Sequence, residues 1–314
     1  MAGEEGVFDI LRYDASKTEK KRQQMMPRPY SRDFVIVMTT IADFSRRLAL
    51  HTWTLDTTPF PQVLSVARDA GWQAIELRRG DILQAYRAGH SRDDVIRTVC
   101  DAGIAVATLG TEYGIVFAQG EELKRLLDVL DETCVIAKAV GCSTIMTATG
   151  AESGSDALAA ANLRAAGDVV ARYGMRLAWE YSAAHPAINR LGHQREVHAA
   201  ANHPAVGLLL DAYHLERSGD GGASFADMPS EHIVAFQYSD VPSTPLGGMR
   251  PVDRLPPGQG VVRWRELLTL LAAKSYTGYL SYEAPNPAFF ARPAAEVAAE
   301  GLRCTREMLA GIAG

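Results

Sequence analysis

The chain has 314 residues, 47% of them apolar, and a formal net charge of −5. Those values describe a globular protein able to bury a large core, and they argue against a nucleic-acid or anionic-membrane surface, which needs clustered Lys and Arg. No stretch reaches the ~18 consecutive apolar residues of a membrane span, so a small polar substrate fits better than a polymer or a bilayer.

Residues 1–44 include the basic run KTEKKRQQMMPRPYSRDF followed by VIVMTTIA. The apolar part is short and is not placed as in a secretory signal, so the segment is read as a disordered N-terminal extension, with Met25, Met26 or Met38 as alternative starts. The four cysteines, Cys100, Cys134, Cys142 and Cys304, form no CxxC pair. They are read as buried thiols of a cytoplasmic protein.

From residue 45 onward, β-type runs alternate with helical patterns. The strand candidates are Leu48–Thr52, Ala74–Leu77, Ala105–Leu109, Ser143–Thr147, Arg176–Glu180, Val206–Leu210, Val234–Tyr238 and Tyr279–Glu283. Helical patterns cover Pro61–Ala70, Ser91–Ala102, Glu121–Val140, Asp156–Tyr173, Arg195–Ala201, a weak stretch near Phe225, Trp264–Lys274 and Ala294–Gly311. Gly71, Gly103, Gly141 and Gly174 stand just past helix ends, where a left-handed cap is expected. Eight such units close a single (β/α)₈ TIM barrel over residues 45–314. A doubly wound open sheet would carry a Gly-rich turn after its first strand, and LALHTWTLDTTPF has no Gly. The long segment Val241–Gly260 reads as a functional loop.

In a parallel barrel the chemistry sits at the C-terminal ends of the strands. Glu180 ends RLAWE, Asp211 follows VGLLL, Gln237 lies in VAFQYSD and Glu283 ends YLSYE. Each carboxylate could simply cap the next helix. Together they offer four oxygen ligands, which suit one divalent cation, Mn²⁺ or Mg²⁺ first and Co²⁺ or Zn²⁺ as alternatives. Glu180, Glu283 and His214, three residues beyond Asp211, are the candidates for moving protons. His51, Trp53, Arg254 and Glu112 are the candidates for holding substrate, Arg254 ahead of Arg250 as the cation of the long loop. Glu76, Arg78 and Arg79 read as a salt-bridged rim, and His185, His193, His198 and His203 as loop or surface residues.

The stretches LAWEYS, HPAVGLLLDAYHL, IVAFQYSD, PPGQG and GYLSYEAPN resemble the sugar isomerase/epimerase superfamily, the xylose-isomerase-like barrels that include inosose dehydratases, ketose epimerases and 3-dehydroshikimate dehydratases. The resemblance covers nearly all of the chain after the extension. It implies a metal held by Glu180, Asp211, Gln237 and Glu283, and enolisation of a small polyhydroxylated carbonyl compound. Most isomerases and epimerases of this kind carry His where this chain has Gln237, and Gln there is similar to the 3-dehydroshikimate dehydratases. Those dehydratases carry RDFEG after the third strand, whereas this chain reads LGTEYGIVFA. Isomerase or epimerase, dehydratase, and a noncatalytic sugar-binding barrel are thus the three readings, with self-association into a homo-oligomer left open.

Overall fold

The computed structural model describes residues 39–246 and 251–314; Arg250 lies outside them. Eight parallel strands close a barrel in chain order: β1 (Leu48–His51), β2 (Ala74–Leu77), β3 (Ala105–Gly110), β4 (Thr144–Ala148), β5 (Arg176–Glu180), β6 (Val206–Asp211), β7 (Ile233–Tyr238) and β8 (Leu280–Tyr282), which pairs back to β1. The expected (β/α)₈ barrel is the fold observed. Among the described residues no helix is long and apolar enough to cross a membrane.

Helix Phe60–Ala70 shows how sequence becomes packing. Phe60, Val63, Leu64 and Ala67 recur at helical spacing and are buried, Pro61 opens the helix where no N–H is needed, and Gly71 closes it at φ 92°. Gly103, Gly141 and Gly174 also adopt positive φ, as their place before a strand predicts. Cys134, Cys142 and Cys304 are buried, but Cys100 is exposed, because its helix turns that face outward.

Two helical expectations need correction. No helix forms around Phe225, whose ring is instead fully buried; the helix after β6 is Ala212–Ser218, with Asp211 as its N-cap. A further helix, Arg79–Arg87, occupies what read as a charged rim. Its start is set by Asp81, whose carboxylate accepts the Arg78 backbone N–H at 2.8 Å, while its Gly and charged residues hide the periodicity. The short helix Ile41–Phe44 buries Phe44 completely.

Side chains alternate along a strand, and that alternation positions the site. Met146, Ala178, Leu209 and Ala235 form a small apolar cluster of their own, separate from the main core between barrel and helices. Two residues beyond Ala178, Leu209 and Ala235 stand Glu180, Asp211 and Gln237, one layer nearer the C-terminal mouth.

Candidate active site

Six polar side chains converge on the mouth layer: His51 from β1, Glu76 from β2, Glu180 from β5, Asp211 from β6, Gln237 from β7 and Glu283 just past β8. All are buried, none more than 7% exposed. Strand register brings His51 level with Glu76, and Asp211 level with Gln237. Opposite the Ile75–Glu76 step the partner strand β3 carries one extra residue, Ala107, while β2 itself stays in unbroken register with β1. Alternation along β2 sends Ile75 and Leu77 to the main core and Glu76 inward, which corrects the rim reading of Glu76: it is 1% exposed, and its Oε1 accepts from Gln237 Nε2 at 2.9 Å.

Arg254 is the centre of the charge network. Asp240 pins the loop that carries it, accepting from Gly258 N at 2.8 Å, Val262 N at 2.9 Å and Trp264 Nε1 at 3.1 Å, and pairing antiparallel with Leu255. Arg254, one residue before that bridge, is 1% exposed and sends Nη1 to Asp211 Oδ2 at 2.7 Å and to Glu283 Oε2 at 3.0 Å. Its guanidinium carbon lies 4.3 Å from the Tyr213 ring centroid. The loop cation therefore meets the chain's own carboxylates. Asp211 serves two purposes at once, because Oδ1 caps the following helix by accepting from Tyr213 N at 2.9 Å.

A backbone donor settles the His51 tautomer. Trp53 N donates to His51 Nδ1 at 3.1 Å, so the neutral ring carries its proton on Nε2, 3.4 Å from Glu283 Oε1 and 4.0 Å from Glu76 Oε1. His214 is met by donors at both nitrogens, Ala183 N at Nδ1 (3.2 Å) and Arg254 Nη2 at Nε2 (3.4 Å), and its Nε2 lies 3.9 Å from both Glu180 Oε1 and Asp211 Oδ2. Burial lowers the His214 pKa to about 3 and holds His51 well below its usual value, so both rings are neutral.

The carboxylates shift the other way. Burial, aided by neighbouring negative charge, raises Glu76 to about 8 and Glu180 well above the carboxylate range. Burial also lifts Glu283 to about 7 against the lowering pull of Arg254. Four buried acids face one guanidinium, an imbalance that a divalent cation would offset. The donor atoms agree. Ligand atoms of Glu180, Asp211 and His214 lie within 4.8 Å of one another. Among the described residues Glu180 Oε1 and Gln237 Oε1 are buried with no hydrogen-bond partner. Such orphaned oxygens fit a hard cation.

Above this layer opens a cavity of about 600 Å³ lined by Trp53, Arg78, Tyr113, Thr149, Glu180, Ser182, His214, Arg254 and Glu283 among others. Trp53 belongs to the 3₁₀ turn Thr52–Leu55 that follows β1, not to the strand itself. Glu112 is not brought to the cavity: its carboxylate is taken by Arg125 at 2.6 and 3.1 Å on the outer rim, and its neighbour Tyr113 lines the space instead. Sequence reasoning left out Thr149 and Ser182. Their place just beyond β4 and β5 is the signal that could have found them. Arg79 turns outward to Glu132 at 2.7 Å, while Arg78 bridges Asp56 and Asp81. His185 and His198 also need correction, being 1% and 8% exposed; His185 is fixed by Glu152 O and the Ala187 and Ile188 amides.

The family model described as Xylose isomerase-like TIM barrel matches residues 64–308. The 3-dehydroshikimate dehydratase of Pseudomonas putida is 28% identical over 250 residues, which are 77% of this chain and 39% of that protein. This chain thus spans about two fifths of that relative's length. The inosose isomerase of Bacillus licheniformis is 21% identical over 82% of this chain and 95% of its own length. A solved IOLI protein with a bound zinc atom superposes with a TM-score of 0.76 at 20% identity, over 85% of this chain and 99% of that one, a likeness of fold. The extent of the family match places this chain among the xylose isomerase-like TIM barrels.

Proposed function

We propose that the protein is an enzyme that removes an α-proton from a small polyhydroxylated keto compound with the help of one divalent cation. The observation that carries this reading is the pair of buried, unpartnered oxygens, Glu180 Oε1 and Gln237 Oε1, in a layer with four carboxylates and one guanidinium. Glu180, Asp211, Gln237 and Glu283 would hold the cation. When bound, it supplies Lewis acidity toward a substrate carbonyl oxygen.

The chain's own residues divide the remaining work. Glu180 is the favoured base, because its Oε1 accepts no hydrogen bond from the described residues. Glu283 is the second acid, engaged by His51 at one oxygen and Arg254 at the other, and so held in one orientation. His214, which lines the cavity with Nε2 3.9 Å from Glu180 Oε1, suits proton exchange with a substrate oxygen. Arg254 keeps Asp211 and Glu283 apart and balances their charge. Trp53 and Tyr113 give the cavity aromatic walls against which the C–H face of a sugar or cyclitol can rest.

The α-proton leaves its carbon for Glu180, and the electron pair becomes the enediolate. Return of a proton to the other face of the same carbon gives an epimer, and its delivery to the neighbouring carbon gives an isomer. Loss of a β-hydroxyl, protonated as it departs as water, gives a dehydrated product. The likeness to 3-dehydroshikimate dehydratase and the Gln at position 237 favour this last outcome as the second reading. The test is proton–deuterium exchange in D₂O followed by NMR, with ketoses, inososes and 3-dehydroshikimate as substrates. Exchange that requires Mn²⁺ or Mg²⁺ and stops on chelation supports the proposal, and the product separates isomerase from dehydratase. Absence of exchange with every substrate and every metal points to a sugar-binding barrel.

A further inference from the structure

Resting on the metal-site reading above, we propose that Glu76 is a positioning residue whose task is to set the orientation of the Gln237 amide. An amide presents two ends of opposite character: Nε2 only donates and Oε1 only accepts. At a ligand position one of those ends is useful and the other is useless, and the side chain alone does not decide between them. Glu76 decides. Its Oε1 accepts from Gln237 Nε2 at 2.9 Å across the barrel, between residues 161 positions apart. The amide is planar, so holding the amino end at Glu76 directs Oε1 away from it. That oxygen is buried and unpartnered among the described residues, as expected for an atom reserved for a ligand.

The surroundings leave the pair little freedom. Gln237 is 0% exposed and Glu76 1% exposed, so water cannot substitute for either partner by exchange with bulk. His51 Nε2 lies 4.0 Å from the same Glu76 oxygen and 3.4 Å from Glu283, so it serves Glu283, and the buried Ser281 hydroxyl beside Glu76 favours its carboxylate form. β2 runs in unbroken register with β1 through Ala74, Ile75 and Glu76, so the Glu76 side chain leaves a regular, fixed stretch of strand. Partners that orient the atoms holding a metal typically matter to its affinity by 10–100-fold.

The test is a double-mutant cycle read as Mn²⁺ affinity by titration calorimetry, with folding of each metal-free variant checked by near-UV circular dichroism. Glu76→Gln is nearly isosteric but can present its own amino group to position 237, so the orientation is lost. We expect Mn²⁺ binding to weaken about 10–100-fold. In the Gln237→Ala background, where no amide remains to be oriented, the same Glu76→Gln change should cost nothing further. An unchanged affinity for folded Glu76→Gln overturns the inference while leaving the metal-dependent reading intact. An equal loss in both backgrounds also overturns it, because Glu76 would then act by its charge alone. A wild-type protein that binds no Mn²⁺ overturns the metal-dependent reading and this inference together.

Discussion

Two layers of the same barrel, one pleat apart, obey opposite rules. The inner layer, Met146, Ala178, Leu209 and Ala235, is small, apolar and dry. The mouth layer, Glu180, Asp211, Gln237 and Glu283 with His51 and Glu76, is as deeply buried yet almost wholly polar. In the first layer burial is itself the stabilising term, about 25 cal/mol for each Å² of apolar surface removed from water. In the second, burial is a cost that Arg254 offsets only in part, since one guanidinium stands against four acids. The mouth thus holds more buried acidic groups than its one fully buried guanidinium can balance. The alternation of side chains along β5, β6 and β7 is what allows both rules to hold within two residues of each other.

The comparison breaks first at Glu180. Glu180→Gln keeps volume but removes the favoured base, and deuterium exchange into substrate should fall by about 10²–10⁴-fold. The metal-free variant should be at least as stable as wild type, because burial and the nearby acids make the wild-type carboxyl take up a proton on folding, a cost that Gln does not incur. Exchange at the wild-type rate would remove Glu180 from the mechanism. Arg254→Met tests the other side of the balance. It leaves Asp211 and Glu283 buried without their partner, and denaturant unfolding of the metal-free protein should show a loss of about 3–5 kcal/mol. A midpoint equal to that of wild type would mean that Arg254 is not the element holding the layer together.

How much of this was legible in the sequence follows from what each feature depends on. The barrel was legible because helix–Gly–strand joints are local, and the mouth residues Glu180, Asp211, Gln237 and Glu283 because strand ends are local too. Arg254 was visible as a cation of the long loop. Its partner was not, since Asp211 lies 43 residues away and only the Asp240–Leu255 bridge aims the loop inward. Glu76 was misread for a sharper reason. In Glu76-Leu77-Arg78-Arg79 a buried acid and three residues leading into a helix have the composition of a solvated rim, and the partner that marks Glu76 as inward, Gln237, lies 161 residues away. Ala212–Ser218 escaped because a seven-residue helix is too short for its periodicity to show.

The smallest effect expected is a pH dependence that belongs to the mouth layer alone. In the unfolded chain Glu76 and Glu283 ionise near 4.5, whereas in the metal-free fold they hold their protons up to about 8 and about 7. Between those limits the folded state binds more protons than the unfolded one, so stability falls as pH rises. His51 and His214 act in the opposite sense: their folded pKa values are depressed, so they favour stability with rising pH while the unfolded imidazoles, half protonated at 6.5, lose their protons. By about pH 7.5 that contribution is complete and the carboxylates are left alone. Over pH 6.5 to 8 Glu76 and Glu283 should therefore take on the order of 2 kcal/mol from the metal-free protein, at about 1.4 kcal/mol per pH unit for each proton, with Glu180, also raised by burial, acting in the same direction. Saturating Mn²⁺ should flatten the slope, since a cation holds the acids ionised in the fold as well. Melting temperatures across this window, with and without Mn²⁺, measure it directly: a metal-free stability that is flat or rising would show that the mouth acids are already ionised and balanced by the chain itself.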